Sequence, residues 1–505
     1  MSFFGCILSK SPRIDKCHFS EISKIGGGVM ARFIGRKEEL IALKGLTEKQ
    51  SASLAVVTGR RRIGKSRLIE EFGKDQHYYS FTGIPPTPHT TEQSQREVFS
   101  KQLEKNFGST ATSSEDWLTL FWFLAEKTEQ GRVVILLDEI SWMGSKDSDF
   151  LGKLNAVWDN HFKKNPKLIL VLCGSISLWI EENILSSTGF MGRISLTLKL
   201  SELPLSDCNL FWGKEKKLIS AYEKFKFLSV TGGIPRYLEE MKPHLSAEEN
   251  IRQLCFKDSG ILFNEFDQIF SDLFSSKSET YKKIVIQLAN GPNERNQIAQ
   301  ALGLELGGVI SEYLEDLEKS GFIQRDFTWQ FKNGECSNLS LFRLSDNYVR
   351  FYLKWILPNK KQIEANLFKQ RSLTSLPGWS SIMGLQFENL ILNNRHQIHR
   401  LLKLHPEEII IDGPYFQRST VRHPGCQIDY LIQTKFDSLY VCEVRFSKYG
   451  IKREIIDEVK TKIARLKKPR NFSIRPVLIQ VNGISEALEE SEYFASIINF
   501  GQLFE

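Results

Sequence analysis

The chain has 505 residues, of which 41% are hydrophobic and 25% charged, with a net charge of +7; that is globular composition at a length suited to three or four domains of roughly 150 residues. No run of about 18 apolar residues exists, which excludes a hydrophobic membrane span; the longest candidate, "KLILVLCGSISLWI", is broken by Gly174 and Ser175. Eight cysteines without a CxxC pair or a Cys/His cluster at zinc spacing lead to the expectation of reduced thiols in a cytoplasmic protein, and residues 1–13, without a basic region, a long apolar core or a glycine after Met1, to the expectation of neither a secretory signal nor myristoylation.

Residues 1–29 show no periodicity and end in "GGG". They are expected to be a flexible extension, with Met30 opening the first domain. From 30 to 203, apolar runs alternate with helical patterns. Strands are expected at 54–58, 77–82, 132–137, 167–172 and 194–200. Helices are expected at 65–73, 92–106, 115–129, 148–162 and 176–185. Continuous Val/Ile/Leu runs alternating with helices imply a parallel sheet covered on both faces. Residues 204–265 read as helical, interrupted by "TGGIPRY". Residues 279–345 give two or three short helices, then two strand-like runs. From 376 to 505 the alternation resumes, with strands near 407–412, 427–433, 439–446 and 474–481. A long amphipathic helix is expected at 451–468, with Ile451, Ile455, Ile456, Val459 and Ile463 on one face.

"GRRRIGKS" matches G-x-x-x-x-G-K-[ST] between a strand and a helix. Its glycines let backbone N–H groups curl around phosphate oxygens, its lysine reaches the outer phosphates, and its serine ligates Mg²⁺. The helix that follows points its N-terminus at the anion. Gly59, Arg60, Arg61, Arg62, Ile63, Gly64, Lys65, Ser66 and Arg67 are therefore candidate nucleotide-binding residues. For most of the three arginines, solvated loop charge is the plainer expectation. The partner acid should end a buried strand, and "RVVILLDEI" supplies it. Asp138 is expected to hold Mg²⁺ with Ser66, and Glu139 to polarise the attacking water.

The order "FIGRKEEL", "VVTGRRRIGKSRL", "ILLDEI", "LVLCGSISLWI", "GFMGRISLTLKLSELP" and "TGGIPRYL" resembles the archaeal-type P-loop ATPases of the AAA+/STAND group, many of which carry a C-terminal DUF234 region. The resemblance runs from about residue 31 to the C-terminus. It implies an α/β fold: a P-loop NTPase parallel sheet (30–203) with a helical lid (204–274), then a winged-helix domain and linker (275–375) and a restriction-endonuclease-like α/β domain (376–505). It implies ATP and Mg²⁺ as cofactors. It also implies Ser175 as a polar sensor of the γ-phosphate, Arg193 as an arginine finger or sensor, and Arg236 as a lid residue near the nucleotide. The plain alternatives are a strand-end turn for Ser175 and surface ion pairs for the arginines.

"ERNQIAQALGLELGGVISEYLEDLEKSGFIQRD" fits helix, turn, helix and a strand leading into a wing. In such modules the second helix reads the major groove. Here that helix, 309–320, carries Glu312, Glu315, Asp316 and Glu318 against Lys319. Phosphate binding is driven by Lys and Arg, so a lid or protein-contact role is favoured over DNA reading.

"MGLQFENLIL", "CQIDYLIQ" and "LYVCEVRFSK" resemble the PD-(D/E)XK nuclease fold. The resemblance places Glu388 on the leading helix, and Asp429 and Glu443 on adjacent strands. Alternation along a strand puts Glu443 and Arg445 on one face. Two converging carboxylates can hold Mg²⁺ and activate water. The family pattern has lysine where Arg445 stands, and arginine cannot be deprotonated. Lys448 is the substitute in sequence, although it leaves the strand's active face; the alternative is a degenerate site with a Glu443–Arg445 ion pair. Residues 445–470 hold ten Lys/Arg against three acids, a candidate DNA contact.

The leading reading is an Mg²⁺-dependent ATPase coupling nucleotide state to C-terminal domains that contact nucleic acid. One alternative is a switch protein driving homo-oligomer or partner assembly without nuclease chemistry. A second is an ATP-gated, metal-dependent DNA nuclease.

Overall fold

The computed structural model describes residues 32–505 apart from 88, 110–115, 176–177, 275–277, 369–371 and 422. The expected extension at 1–29 lies outside the described residues. Four runs rich in Val, Ile or Leu and one aromatic run, HYYSFT, form one sheet: β1 (Ser53–Gly59), β2 (His77–Thr82), β3 (Val133–Asp138), β4 (Leu168–Ser175) and β5 (Ile194–Leu200). Every pairing is parallel and the spatial order is β2-β3-β4-β1-β5. All seven residues of β1 are buried, because helices cover both faces of a parallel sheet. The helices Glu92–Phe107, Trp117–Lys127 and Phe150–Asn160 carry the aromatics Phe99, Trp117, Phe121 and Phe150 into one cluster with β3 and β4.

The register sets the carboxyl ends of the central strands side by side. Gly59 lies opposite Ser175 and Thr82 opposite Asp138. In open α/β sheets this edge, where strand order reverses, is where ligands bind.

Beyond β5 come the helices Ala221–Thr231, Ala247–Cys255 and Ile261–Phe274. "TGGIPRY" separates the first two: a Cβ on Gly233 would lie 2.3 Å from the Leu203 carbonyl oxygen, so only glycine lets this turn dock. The helices Ser278–Leu288, Arg295–Leu302 and Gly308–Lys319 follow, then an antiparallel ribbon of β6 (Ile323–Trp329) and β7 (Cys336–Leu344). Asn293 bridges Phe342 as a short third rung.

The last sheet is mixed. It contains β8 (Ile409–Gln417), β9 (Cys426–Thr434), β10 (Ser438–Arg445), β11 (Ser473–Gln480) and β12 (Ser496–Asn499), in the order β12-β11-β10-β9-β8. β8, β9 and β10 are antiparallel, while β10, β11 and β12 are parallel. β12 is absent from the sequence expectation because four residues give too short an alternation to read. The basic helix is shorter than expected, Ile455–Arg465. Ile451 belongs instead to a bridge with Ile484, which explains its apolar character.

The ribbon and the last sheet share a core. Trp329 and Phe331 pack on Tyr415, Ile428 and Leu439, and the Trp329 indole donates to Gln433 Oε1 at 2.8 Å. Buried Arg343 joins β7 to Asp326 and to Asn389 on the helix Trp379–Leu392.

Candidate functional site

The loop after β1 turns through two left-handed residues, Arg62 (φ 70°) and Gly64 (φ 89°), before the helix Lys65–Gly73. That conformation costs a residue with a Cβ but is free to glycine, and it leaves the first N–H groups of the helix without intrahelical partners. Lys65 is buried and its ammonium donates to the carbonyls of Gly59 (3.1 Å) and Arg60 (3.3 Å). The charge is thus parked over the loop it closes.

Ser66 Oγ donates to Asp138 Oδ2 at 2.6 Å. Residues 72 apart in sequence therefore meet at the carboxyl edge of the sheet. A hydroxyl and a carboxylate in contact are hard oxygen ligands of the kind Mg²⁺ takes together with substrate phosphates. Among the described residues, no group of three or more His, Cys, Asp and Glu side chains is arranged to hold a metal alone; a magnesium site completed by phosphate oxygens asks for fewer.

Glu139 follows in a left-handed conformation (φ 52°), its N–H donating to Asp138 Oδ1. Its Oε2 accepts weakly from the Ser175 N–H at 3.5 Å, so Ser175 stands beside it. Burial pushes the Glu139 carboxyl up, Lys65 pulls it down and Asp138 raises it again. A carboxylate poised this way has the basicity to orient a water.

The arginines of the loop depart from the expectation of solvated charge. Arg60 is buried, ion-paired with Asp346 just past β7, 3.9 Å from Glu202, and 5.3 Å from the Phe322 ring centroid. Asp346 is itself buried and caps the turn that follows, accepting from the Val349 N–H. Arg62 makes a two-pronged pair with Glu265 on the helix Ile261–Phe274, at 3.0 and 3.3 Å. Glu265 is 1% exposed and also accepts from the Tyr237 hydroxyl. Two loop arginines therefore bond to segments more than 200 residues away. Sequence reading missed this because both partners are single acids without a motif around them. Arg61 stands near enough to lower the Glu139 carboxyl, and Arg67 pairs along its helix with Glu70. Ile63 is buried, its carbonyl accepting from Arg36 of the "FIGR" segment at 3.2 Å.

Two candidates point elsewhere. The Arg193 guanidinium is held by Asp159 at 2.6 Å and the Gly189 carbonyl at 2.7 Å, the surface ion pair rather than a contact with the loop. Arg236 pairs with Glu240 at 2.6 Å and is 40% exposed. Its neighbour Pro235 is what approaches the loop: a Cβ on Gly64 would lie 3.8 Å from Pro235 Cγ.

The last sheet brings a second cluster together. Asp429 on β9 and Glu443 on β10 converge on the Lys462 ammonium, Glu443 Oε2 at 2.5 Å and Asp429 Oδ1 at 3.4 Å. Asp429 Oδ2 accepts from the Val444 N–H at 3.0 Å. Glu388 on the helix Trp379–Leu392 is close enough to feel Asp429. Burial first, and then the Asp429 charge, push the carboxyls of Glu388 and Glu443 well up.

Lys448 does not supply the lysine; it is exposed beside Tyr449. Lys462, from the polar face of the helix Ile455–Arg465, does. Arg445 turns away to Glu458 at 3.0 Å and comes only within 3.9 Å of Glu443, so the expected Glu443–Arg445 pair is secondary. A helix residue 19 positions past Glu443 carries no spacing signal, and Lys462 is one of three cations on its helix.

Around this cluster, eight of the ten cations of 445–470 are exposed, at 445, 448, 452, 453, 460, 465, 467 and 470. The acidic helix Gly308–Lys319 is less acidic outside than its sequence suggests. Asp316 is buried against the Tyr281 hydroxyl, and Glu318 accepts from the Arg325 N–H.

Residues 33–241 match a family described as an ATPase domain predominantly from Archaea. This stretch is an ATPase domain of the archaeal type, and the chain is a P-loop ATPase. An uncharacterized protein of Methanocaldococcus jannaschii is 25% identical over 390 residues, 76% of this chain and 82% of its own. A Walker-type ATPase of Pyrococcus abyssi is similar in structure with a TM-score of 0.49 at 16% identity, over 64% of this chain and 96% of its own. The ORC2 protein of Aeropyrum pernix, solved as ADPNP–ADP complexes, gives 0.40 at 14% identity, over 66% and 95%. No described helix is long and apolar enough to cross a membrane.

Proposed function

We propose that the chain is an Mg²⁺-dependent ATPase whose phosphate loop transmits nucleotide state to C-terminal domains that contact nucleic acid. The observation that carries the coupling is the pair of loop arginines: Arg60 bonded to Asp346 and Arg62 to Glu265. A phosphate chain entering this loop competes with both carboxylates for the same guanidinium groups. Occupancy of the loop and placement of the lid and ribbon are then one equilibrium.

The chemical step is attack of water on the γ-phosphate. The backbone N–H groups of 59–66 and the Lys65 ammonium cradle the phosphates once Lys65 leaves its carbonyl partners. Ser66 and Asp138 hold Mg²⁺, which when bound neutralises charge on the phosphate oxygens. Glu139 accepts a hydrogen bond from the attacking water, and Ser175 stands where a γ-phosphate contact is expected. On this reading the domains are a core at 30–203, a lid at 204–274, a winged-helix module at 275–375 and a nuclease-like tail at 376–505.

Duplex DNA should stimulate ATP turnover through the exposed cations beside the tail cluster. Replacing Lys452, Arg453 and Lys460 together by glutamine should remove the stimulation and leave basal turnover. Absence of stimulation, with nucleotide-dependent homo-oligomers instead, would favour the assembly-switch reading, which the buried Arg60–Asp346 pair also suits. The ATP-gated nuclease reading is favoured by Lys462 between Asp429 and Glu443. It predicts Mg²⁺-dependent nicking that disappears in Asp429→Ala.

A further inference from the structure

A cavity of 810 Å³ opens where the start of the ATPase domain, the lid and residues 501–505 meet. Its volume lies in the range of small-molecule sites, about 300–1,000 Å³. Four lysines line it: Lys37, Lys216, Lys217 and Lys224. Against them stand the Asp207 and Glu505 side chains. Asp207 is already engaged, accepting from the Arg36 N–H.

Lys224 is the informative member. It is 5% exposed, on the helix Ala221–Thr231. Its ammonium donates to the Lys216 carbonyl at 2.6 Å and sits 4.9 Å from the Phe504 ring centroid and 5.8 Å from that of Trp212. Among the described residues no ion pair joins it to a carboxylate, and only burial and Lys216 act on its charge. An ammonium has three donors, and one carbonyl with two ring faces accounts for only part of its solvation. Burying a cation without a counter-charge is costly. Burial, and then Lys216, hold its ammonium below the ordinary lysine range. A structural lysine would be expected to carry an acid; this one carries an opening lined by three more cations.

We propose that this cavity is a binding site for a small phosphate-bearing anion, distinct from the phosphate loop, in which Lys224 forms the floor and Lys37, Lys216 and Lys217 close over the ligand. A bound anion bridges the ATPase domain, the lid and the chain's last residues. It also sits one residue from Arg36, whose guanidinium donates to the Ile63 carbonyl of the phosphate loop and the Ser201 carbonyl at the end of β5.

The test is calorimetric titration of inorganic pyrophosphate into full-length Lys65→Ala, which disables the phosphate loop. One site is expected, and adding Lys216→Gln and Lys217→Gln should weaken it roughly tenfold or more, as loss of charge-assisted hydrogen bonds does. The double glutamine variant in the otherwise natural chain should keep its ATP turnover, which shows that it folds. ADP titrated in parallel separates the two sources of the anion: equal binding means the phosphates alone are read, tighter binding means a nucleotide is. Absence of pyrophosphate binding at millimolar concentration, binding unchanged by the glutamines, or binding of a short oligonucleotide but not pyrophosphate would overturn the proposal.

Discussion

Two acidic centres lie at strand ends in this molecule, and they are built differently. At the edge of the parallel sheet, cation, hydroxyl and carboxylates come from two short segments, 59–66 and 138–139, each with its own motif. In the mixed sheet the carboxylates come from two strands and a leading helix, and the cation from a helix beyond. In the first, the lysine rests on backbone carbonyls, and the acids are hydrogen-bonded to a hydroxyl and to backbone N–H groups rather than to the lysine. In the second, the lysine is already bonded to the acids. A centre whose charges are held apart is ready for a phosphate. One whose charges neutralise each other needs its lysine displaced or shared before it can take a cation.

The comparison can be broken most sharply at Glu139. Glu139→Gln should lower ATP turnover by roughly 10²–10⁴-fold while ATP binding persists, measured as phosphate release beside equilibrium nucleotide binding. A smaller change would move the water-orienting role elsewhere.

Arg60→Met should destabilise the chain by about 3–5 kcal/mol, because it strands buried Asp346 without a counter-charge. Urea unfolding of the variant reads this, and an unchanged midpoint would mean that the loop is not tied to the segment after β7.

For the tail centre, Lys462→Met should cost about 1–3 kcal/mol by the same route, since Asp429 and Glu443 lose a charged donor, whereas Lys448→Met should change nothing measurable. The Glu388 carboxyl is pushed from 4.5 up to about 8, by burial and then by Asp429. Its folded form holds a proton that the unfolded chain gives up. Its contribution to stability is therefore complete below about pH 4.5 and is lost as pH rises toward about 8. The urea midpoint should fall across that window, and more steeply than in Glu388→Gln.

Among the ion-pair variants Arg193→Ala should have the smallest effect, about 0–1 kcal/mol, as for a partly exposed pair. A large loss of turnover with intact stability would return Arg193 to the catalytic set.

What could be read beforehand follows the range of the interactions. In the ATPase sheet β1, β3 and β4 were legible as continuous apolar runs with a helix after each, and the aromatic β2 and alternating β5 as short β-rich runs between helical patterns. Gly59, Lys65, Ser66 and Asp138 were legible because phosphate binding imposes a fixed local pattern. Arg60 and Arg62 were not, because a buried ion pair is decided by which acid lies across a domain junction, and Asp346 and Glu265 look like any other acids in a helix-rich stretch. Lys462 was hidden for the same reason: a helix face offers a new side chain every 3.6 residues, and only the packing of Ile455, Ile456 and Val459 on the sheet selects the one that faces Asp429. Residues 501–505 had no motif at all, yet they line the cavity around Lys224.

The most direct test is equilibrium binding of ATP in the presence of Mg²⁺ to the natural chain and to Lys65→Ala. The account predicts saturable, Mg²⁺-dependent uptake by the natural chain that falls at least tenfold in the variant, with turnover lost alongside. Uptake and turnover unchanged by the substitution would contradict it.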